Sequence, residues 1–328
     1  MANLRTKYLG LNLKNPIIVG SCGLTNSVAN LIEIEKKGAG AVVLKSIFEE
    51  QIMHEVSRSV ATQNDTFYYP EAEDYISEYT KIHKLQEYID LIKEAKKAIS
   101  IPVIASINCT SVGEWTKFAK EIEQAGADAL ELNIFVLPTD PEKTSNEYEN
   151  NYFNILEDVK EVVNIPVAIK TSLYFSSLAK TIIRLSWAGA DGLVLFNRFY
   201  SPDIDIDKMT ITSTNVFSKH EENALVLRWV ALLSDKIKSD LCATTGIHSG
   251  DDIVKQLLAG ASSVQIVSAI YKKGFDIIPE MIQEIERWME SKNFESIDDF
   301  KGKMSFDKIE NPDAYMRIQF MKYFAGIE

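Results

Sequence analysis

The sequence predicts an α/β fold, a (β/α)8 barrel, and three observations carry that expectation. Apolar runs of strand length occur eight times, helix-favouring stretches separate them, and the residues that open the runs alternate. The runs are Ile17–Cys22, Ala41–Ser46, Val103–Asn108, Ala129–Ile134, Val167–Thr171, Gly192–Asn197, Leu241–Thr245 and Ser263–Ser268. Continuous apolar runs are what parallel strands show when helices cover one face and a packed interior the other. A doubly wound open sheet is the rival, and eight regular repeats favour closure into a TIM barrel.

Asn15-Pro16, Ile101-Pro102 and Ile165-Pro166 lead into the first, third and fifth runs. Proline is tolerated there because an opening residue need not donate to the ladder. The second, fourth, sixth and eighth runs follow Gly38-Ala39, Gly126-Ala127, Gly189-Ala190 and Gly260-Ala261. Each glycine is placed to end the preceding helix in a left-handed conformation. The alternation is that of a barrel assembled from βαβα quarters.

Two connections are longer than a simple helix requires. They are residues 47–101 after the second strand and 198–240 after the sixth, both emerging at the C-terminal face, where loops build sites. A short N-terminal extension precedes the first run. The tail from Pro279 to Glu328 begins helically over Glu280–Ser291 and turns irregular near Asn311-Pro312. No Gly/Ser-rich linker divides the chain, so 1–328 reads as one barrel domain.

Composition narrows the function. With 46% hydrophobic and 25% charged residues the chain can bury a large core, and its formal net charge of −12 argues against a nucleic-acid partner. Cys22, Cys109 and Cys242 have neither disulfide nor metal-site spacing, which fits a reducing compartment and no metal centre. No stretch approaches the ~20 apolar residues of a membrane span. A cytoplasmic protein is expected.

Barrel sites form where strands end. The ends of the runs carry Ser21 and Cys22, Lys45 and Ser46, Asn108, Asn133, Lys170 and Thr171, Asn197, Thr245 and Gly246, and Ser268. Polar groups converging above an apolar barrel mark a ligand site. Lys45 and Lys170 close buried runs, where an ammonium is costly without an anionic partner. An ion pair with Glu131 in the barrel is the plain structural reading of either lysine taken alone. Two such lysines beside strand-end asparagines point instead to an electron-rich ligand such as a flavin. Thr244–Gly250 opens a helix after the seventh run, and Gln265–Ala269 closes the eighth, the pair of loops at which barrels commonly hold phosphate. His248 in the first of these reads as a surface residue.

These residues resemble the dihydroorotate dehydrogenase family over most of the chain. Tyr8–Ile18 is similar to its entry segment, Leu130-Glu131-Leu132-Asn133-Ile134 to its fourth strand, and Ala168-Ile169-Lys170 to its flavin lysine strand. Leu195-Phe196-Asn197 matches a substrate-contacting asparagine, and the two loops above match its phosphate loops. The resemblance implies FMN held by Ser21, Lys45, Ser46, Asn108, Asn133, Lys170, Gly246 and Ser268. It further implies a substrate facing Lys45, Asn133 and Asn197, with dihydroorotate oxidised to orotate in pyrimidine biosynthesis.

The departures are specific. Val136 stands where the family places its catalytic base, and valine cannot take a proton. The family's substrate loop after the second strand is replaced by Tyr69–Tyr75, and Thr245 and Val267 stand where glycines are usual in the phosphate loops. The chain thus resembles a subgroup that keeps the FMN site but lacks the usual base. Replacement bases are Asp140, Thr139 or Cys109, with Tyr69 or Tyr75 as lid acids. Three readings follow: an FMN-dependent oxidoreductase of the CH–CH class with altered or lost activity, a non-catalytic flavin-binding protein, and a phosphate-substrate lyase using Lys170 as a Schiff base. The expected partners are a small-molecule substrate, a soluble electron acceptor and, by analogy with the family, a second copy in a homodimer.

Overall fold

The computed structural model describes residues 2–48, 70–108, 112–198, 202–213 and 215–316. Strands β1 (Thr6–Tyr8) and β2 (Leu11–Leu13) form an antiparallel hairpin. Eight parallel strands follow: β3 (Ile17–Val19), β4 (Ala41–Val43), β6 (Val103–Asn108), β7 (Ala129–Asn133), β8 (Val167–Thr171), β9 (Gly192–Leu195), β12 (Asp240–Thr244) and β13 (Ser263–Ile266). Each pairs with the next, and β13 returns to β3, so the sheet closes into the predicted (β/α)8 barrel. A two-residue strand β5 (Ile47–Phe48) extends the rim, with Phe48 opposite Asn108.

Two concentric cores explain why this sequence closes. Ile18, Val43, Ile104, Ala129, Ala168, Val194 and Cys242 fill the interior, plugged from below by Tyr8, Leu9 and Leu13 of the hairpin. The outward residues of the same strands, such as Ile17, Val42, Leu130 and Ile169, pack against the surrounding helices. The period of two along a strand produces this division.

The alternating entries have a structural meaning. Gly38, Gly126, Gly189 and Gly260 sit at φ of +100°, +96°, +104° and +115°, ending their helices in the left-handed region. Just beyond, Asp128 accepts from Val103 N (2.8 Å) and pairs with Lys96 (2.6 Å) of helix α2 (Pro70–Ala98). Asp191 repeats the device with Val167 N (2.8 Å) and Lys160 (2.7 Å) of helix α4 (Ser145–Val162). One carboxylate thus ties a strand start to the preceding helix in two successive quarters.

Helices α1 (Val28–Lys36), α3 (Val112–Ala125), α5 (Leu178–Trp187), α6 (Asn223–Leu233) and α7 (Gly250–Ala259) complete the outer ring. After β9 the chain makes an exposed hairpin, β10 (Pro202–Asp205) with β11 (Thr210–Ser213). Past β13 come α8 (Ser268–Lys273), α9 (Ile277–Lys292), which packs along α7, and the short α10 (Asp313–Met316). Among the described residues no helix is long and apolar enough to cross a membrane.

Candidate functional site

The barrel interior changes character over one step of the pleat. Two residues above the apolar layer, the inward positions are Ser106, Glu131, Lys170 and Thr244, joined by Gln265 of β13. Glu131 and Gln265 are each 1% exposed. Gln265 Nε2 donates to Glu131 Oε2 at 2.5 Å, and because β7 and β13 lie opposite in the ring this bond crosses the barrel. Lys170 Nζ donates to Gln265 Oε1 (3.2 Å) and stands 3.8 Å from Glu131 Oε1. A buried carboxylate costs several kcal/mol unless a cation and hydrogen bonds compensate it, to an order of magnitude. The structural ion pair and the cavity-facing lysine are therefore both realised in Lys170.

The charge is felt below. Burial pushes the Cys242 thiol up to about 12, and Glu131 adds to the rise. The Tyr8 phenol is raised well above its usual value by burial, Cys242 and Glu131. Neither group is set up to ionise.

A chain of hydroxyls lines the other side of the mouth. Ser106 Oγ, fully buried, contacts Ser46 Oγ at 2.7 Å, and Ser46 Oγ contacts Ser21 Oγ at 3.0 Å. Ser46 N donates to Ser21 Oγ (2.9 Å), and Ser106 N donates to Tyr88 Oη (2.8 Å), which fixes β6 to α2. Alternation along the second run turns Ala41 and Val43 inward and Leu44 outward; past the strand end at Val43, Lys45 is exposed and Ser46 is buried.

The loop after β12 is held in an unusual shape. Thr245 and Gly246 have φ of +80° and +77°, and a Cβ on Gly246 would sit 2.3 Å from Asn223 N. Only glycine permits that approach. Asp252, fully buried at the start of α7, accepts from His248 N (3.0 Å), Ser249 Oγ (3.0 Å) and Asn223 Nδ2 (3.3 Å), and His220 Nδ1 lies 3.1 Å from it. His248 is wedged rather than free on the surface: its Nε2 is 3.0 Å from Ser218 O. Burial, with Lys272 nearby, holds its pKa below the ordinary histidine value. Lys272 Nζ also donates to Ser218 O (2.8 Å), and Ser218 N donates to Ser268 Oγ (2.9 Å). Arg198 completes this edge, pairing with Glu222 at 2.8 Å and donating to Asn215 O (3.0 Å) and Val216 O (2.9 Å).

These walls enclose a cavity of about 480 Å³. Seven of the eight residues expected at the cofactor line it: Ser21, Ser46, Asn108, Asn133, Lys170, Gly246 and Ser268. Asn197 lines it too, its Nδ2 donating to Ile134 O (3.2 Å) and Lys170 O (3.2 Å), which leaves the amide oxygen to offer a ligand. Lys45 is not among the lining residues. Asn133 Oδ1 is buried without a protein partner, a costly state that a ligand donor would relieve.

Val136 is partly buried and packs against the apolar core. Thr139 and Asp140 are exposed and line no cavity described here; Asp140 Oδ1 accepts from Glu142 N (3.0 Å). Cys109 and Tyr69 lie outside the described residues, and Tyr75 falls on α2. Gln265, Arg198 and Ser218 also line the mouth, and none of them carries an individual role in the expected site. Gln265 shares a run with Ser268, and its polarity inside an apolar strand was a signal; Ser218, on an irregular loop, gave none.

Fold and mouth together define a (β/α)8 barrel with a polar-lined cavity over the C-terminal ends of its strands. A family model described as dihydroorotate dehydrogenase matches residues 3–289, and the chain belongs to that family. It is accordingly dihydroorotate dehydrogenase-like, an oxidoreductase of a flavoprotein family of pyrimidine biosynthesis. Among its relatives is the protein named "Dihydroorotate dehydrogenase B (NAD(+)), catalytic subunit" of Thermoplasma volcanium, 27% identical over 322 residues, covering 92% of this chain and 98% of the relative. The proteins of the same name from Pyrococcus furiosus (27% identical, 92% and 98% covered) and Methanocaldococcus jannaschii (26% identical, 88% and 94% covered) are also similar.

Proposed function

We propose that the protein binds FMN in the 480 Å³ cavity and acts as an oxidoreductase of the CH–CH class, with dihydroorotate turnover altered or lost. The observation that carries the first half is the cavity wall. Seven strand-end residues from separate strands and loops meet there, one of them, Asn133, with a buried oxygen awaiting a donor. Ser21, Ser46, Asn108, Asn133 and Lys170 would hold the ring system, while Gly246 and Ser268 would hold the phosphate. Lys45, exposed and two residues past the inward Val43, keeps its proposed cofactor and substrate role. When bound, FMN supplies the acceptor for a hydride equivalent.

The chain's own contribution is binding, orientation and charge. Lys170 places a cation at the floor of the cavity, which favours a ligand that gains electron density. Asn197 offers an amide acceptor, suited to a substrate that carries a ring N–H. Dihydroorotate oxidation also needs a base beside the reacting carbon. Val136 cannot be that base, and its packing against the core supports the altered-activity reading. The same observation favours a second reading, a flavin-binding protein without turnover. Nothing at the site favours a Schiff-base lyase, since Lys170 Nζ is taken up by Gln265 and Glu131.

The partners we assign are a small-molecule substrate and a soluble electron acceptor, in a cytoplasmic protein. A second copy of the chain is the proposed partner of the β10–β11 hairpin, which exposes Ile204, Ile206, Met209 and Ile211. Anaerobic mixing tests the catalytic claim: bleaching of bound flavin by dihydroorotate or a related dihydropyrimidine establishes turnover. Flavin that no such donor bleaches establishes the second reading.

A further inference from the structure

We infer that the substrate is larger than dihydroorotate, with a polar ring in the main cavity and an apolar substituent in an annex beside it. The inference rests on the flavin reading of the main cavity. The annex is a second cavity of about 320 Å³ whose lining shares Phe196, Asn197, Arg198 and Thr245 with the main one, so the two adjoin at that wall.

Its chemistry differs from that of the mouth. The far wall is Leu137, Leu173, Tyr174, Leu225 and Val226, drawn from the loops after β7 and β8 and from helix α6. Leu137, Tyr174 and Leu225 are 48%, 48% and 42% exposed, an apolar cluster gathered at one opening. Exposed apolar clusters of this kind mark binding grooves. The two charged lining residues cancel: Arg198 and Glu222 are paired at 2.8 Å, and the remaining Arg198 donors go to backbone carbonyls. A second carboxylate on the ligand would find no free cation there. An apolar group would bury surface against the leucines and the tyrosine ring.

The volume fixes the scale. A cavity of roughly 150 Å³ accommodates benzene, so 320 Å³ has room for a phenyl group together with its linker. Asn197 and Phe196 belong to both linings, so at that shared wall the amide oxygen would serve the polar ring and the phenyl ring the tail. The ligand class is a dihydropyrimidine or pyrimidine ring that bears an aryl or branched alkyl substituent.

The experiment titrates FMN-loaded protein with orotate and with its N-benzyl and 5-benzyl derivatives, reading perturbation of the flavin spectrum. At least one benzyl derivative should bind about tenfold or more tighter than orotate, the scale of gain an apolar pocket gives. Leu225→Trp and, separately, Leu137→Trp fill the annex from partly exposed positions that a folded chain tolerates. Both should abolish the gain and leave orotate binding as it was. Equal binding of all three ligands, or binding of none, overturns the inference while a bound flavin keeps the cofactor reading intact. A Leu225→Trp protein that loses a dimer, with no change toward the benzyl ligands, also overturns it and assigns the face to a second copy. Colourless protein that takes up no FMN overturns the flavin reading itself.

Discussion

Lys170 Nζ lies 3.8 Å from Glu131 Oε1 inside the barrel, and Lys170 lines the cavity above that carboxylate. The lysine has two tasks, compensating a carboxylate that is 1% exposed and presenting a cation upward. Removing it alone confounds them. Lys170→Met should cost about 3–5 kcal/mol in urea unfolding, because a buried charge loses its partner. Adding Glu131→Gln should restore most of that stability. FMN affinity should stay low in both proteins. Recovery of flavin binding in the double variant, measured by equilibrium dialysis, would make Lys170 purely structural.

Gly246 tests the loop after β12. Its φ of +77° and the 2.3 Å approach a Cβ would make to Asn223 N forbid a side chain without movement. Gly246→Ala should destabilise by more than about 1 kcal/mol. It should also weaken FMN more than riboflavin, because the loop is assigned to the phosphate. An equal loss for both ligands would remove that assignment.

Asp252 holds the same loop from behind, accepting from His248 N, Ser249 Oγ and Asn223 Nδ2 while fully buried. Asp252→Ala leaves those donors unsatisfied, at a cost of roughly 1–3 kcal/mol for each that water cannot reach. Thermal unfolding should fall and riboflavin binding should survive in whatever folded protein remains. Unchanged melting would show that the cluster is dispensable.

The pH dependence has a worked sign. Burial and Lys272 depress the His248 pKa, so in the folded protein it resists protonation more than in the unfolded chain. Its contribution is complete above the unfolded value of about 6.5 and is lost as pH falls from there toward the lower folded value. Glu222 is partly buried, which raises its pKa, but Arg198 and Lys219 N outweigh this and hold it low. Its contribution is present above the ordinary carboxylate range and is lost at still lower pH. Urea midpoints should therefore drop between pH 7.5 and 5.5, and His248→Gln should flatten that step. A variant with the full step would assign it elsewhere.

Much of this architecture is legible in the chain. The four Gly-Ala pairs and the strand-length runs determine the barrel because each reflects a local constraint, left-handed helix ends and two-sided burial. The cavity wall was legible where it lies at strand ends, since a period of two places Asn133 and Lys170 without reference to the rest of the fold. Ser46 shows the limit: a period of two from the inward Val43 reaches Lys45, and only the end of the strand after Val43 brings Ser46 onto the cavity wall. The tying of Ser218 to His248, Lys272 and Ser268 was not legible, because it joins a loop to elements 30 to 54 residues away. The annex was hidden for the same reason, its wall being assembled from β7, β8 and β9 loops and α6.

The central claim is that the cavity over the strand ends holds FMN. The direct measurement is the flavin content of the purified protein, read from its visible spectrum and from the cofactor released on denaturation, before and after incubation with FMN. The account predicts a yellow protein that carries or takes up one FMN per chain and loses it in the Lys170→Met/Glu131→Gln variant. A folded, colourless protein that takes up no FMN would contradict it.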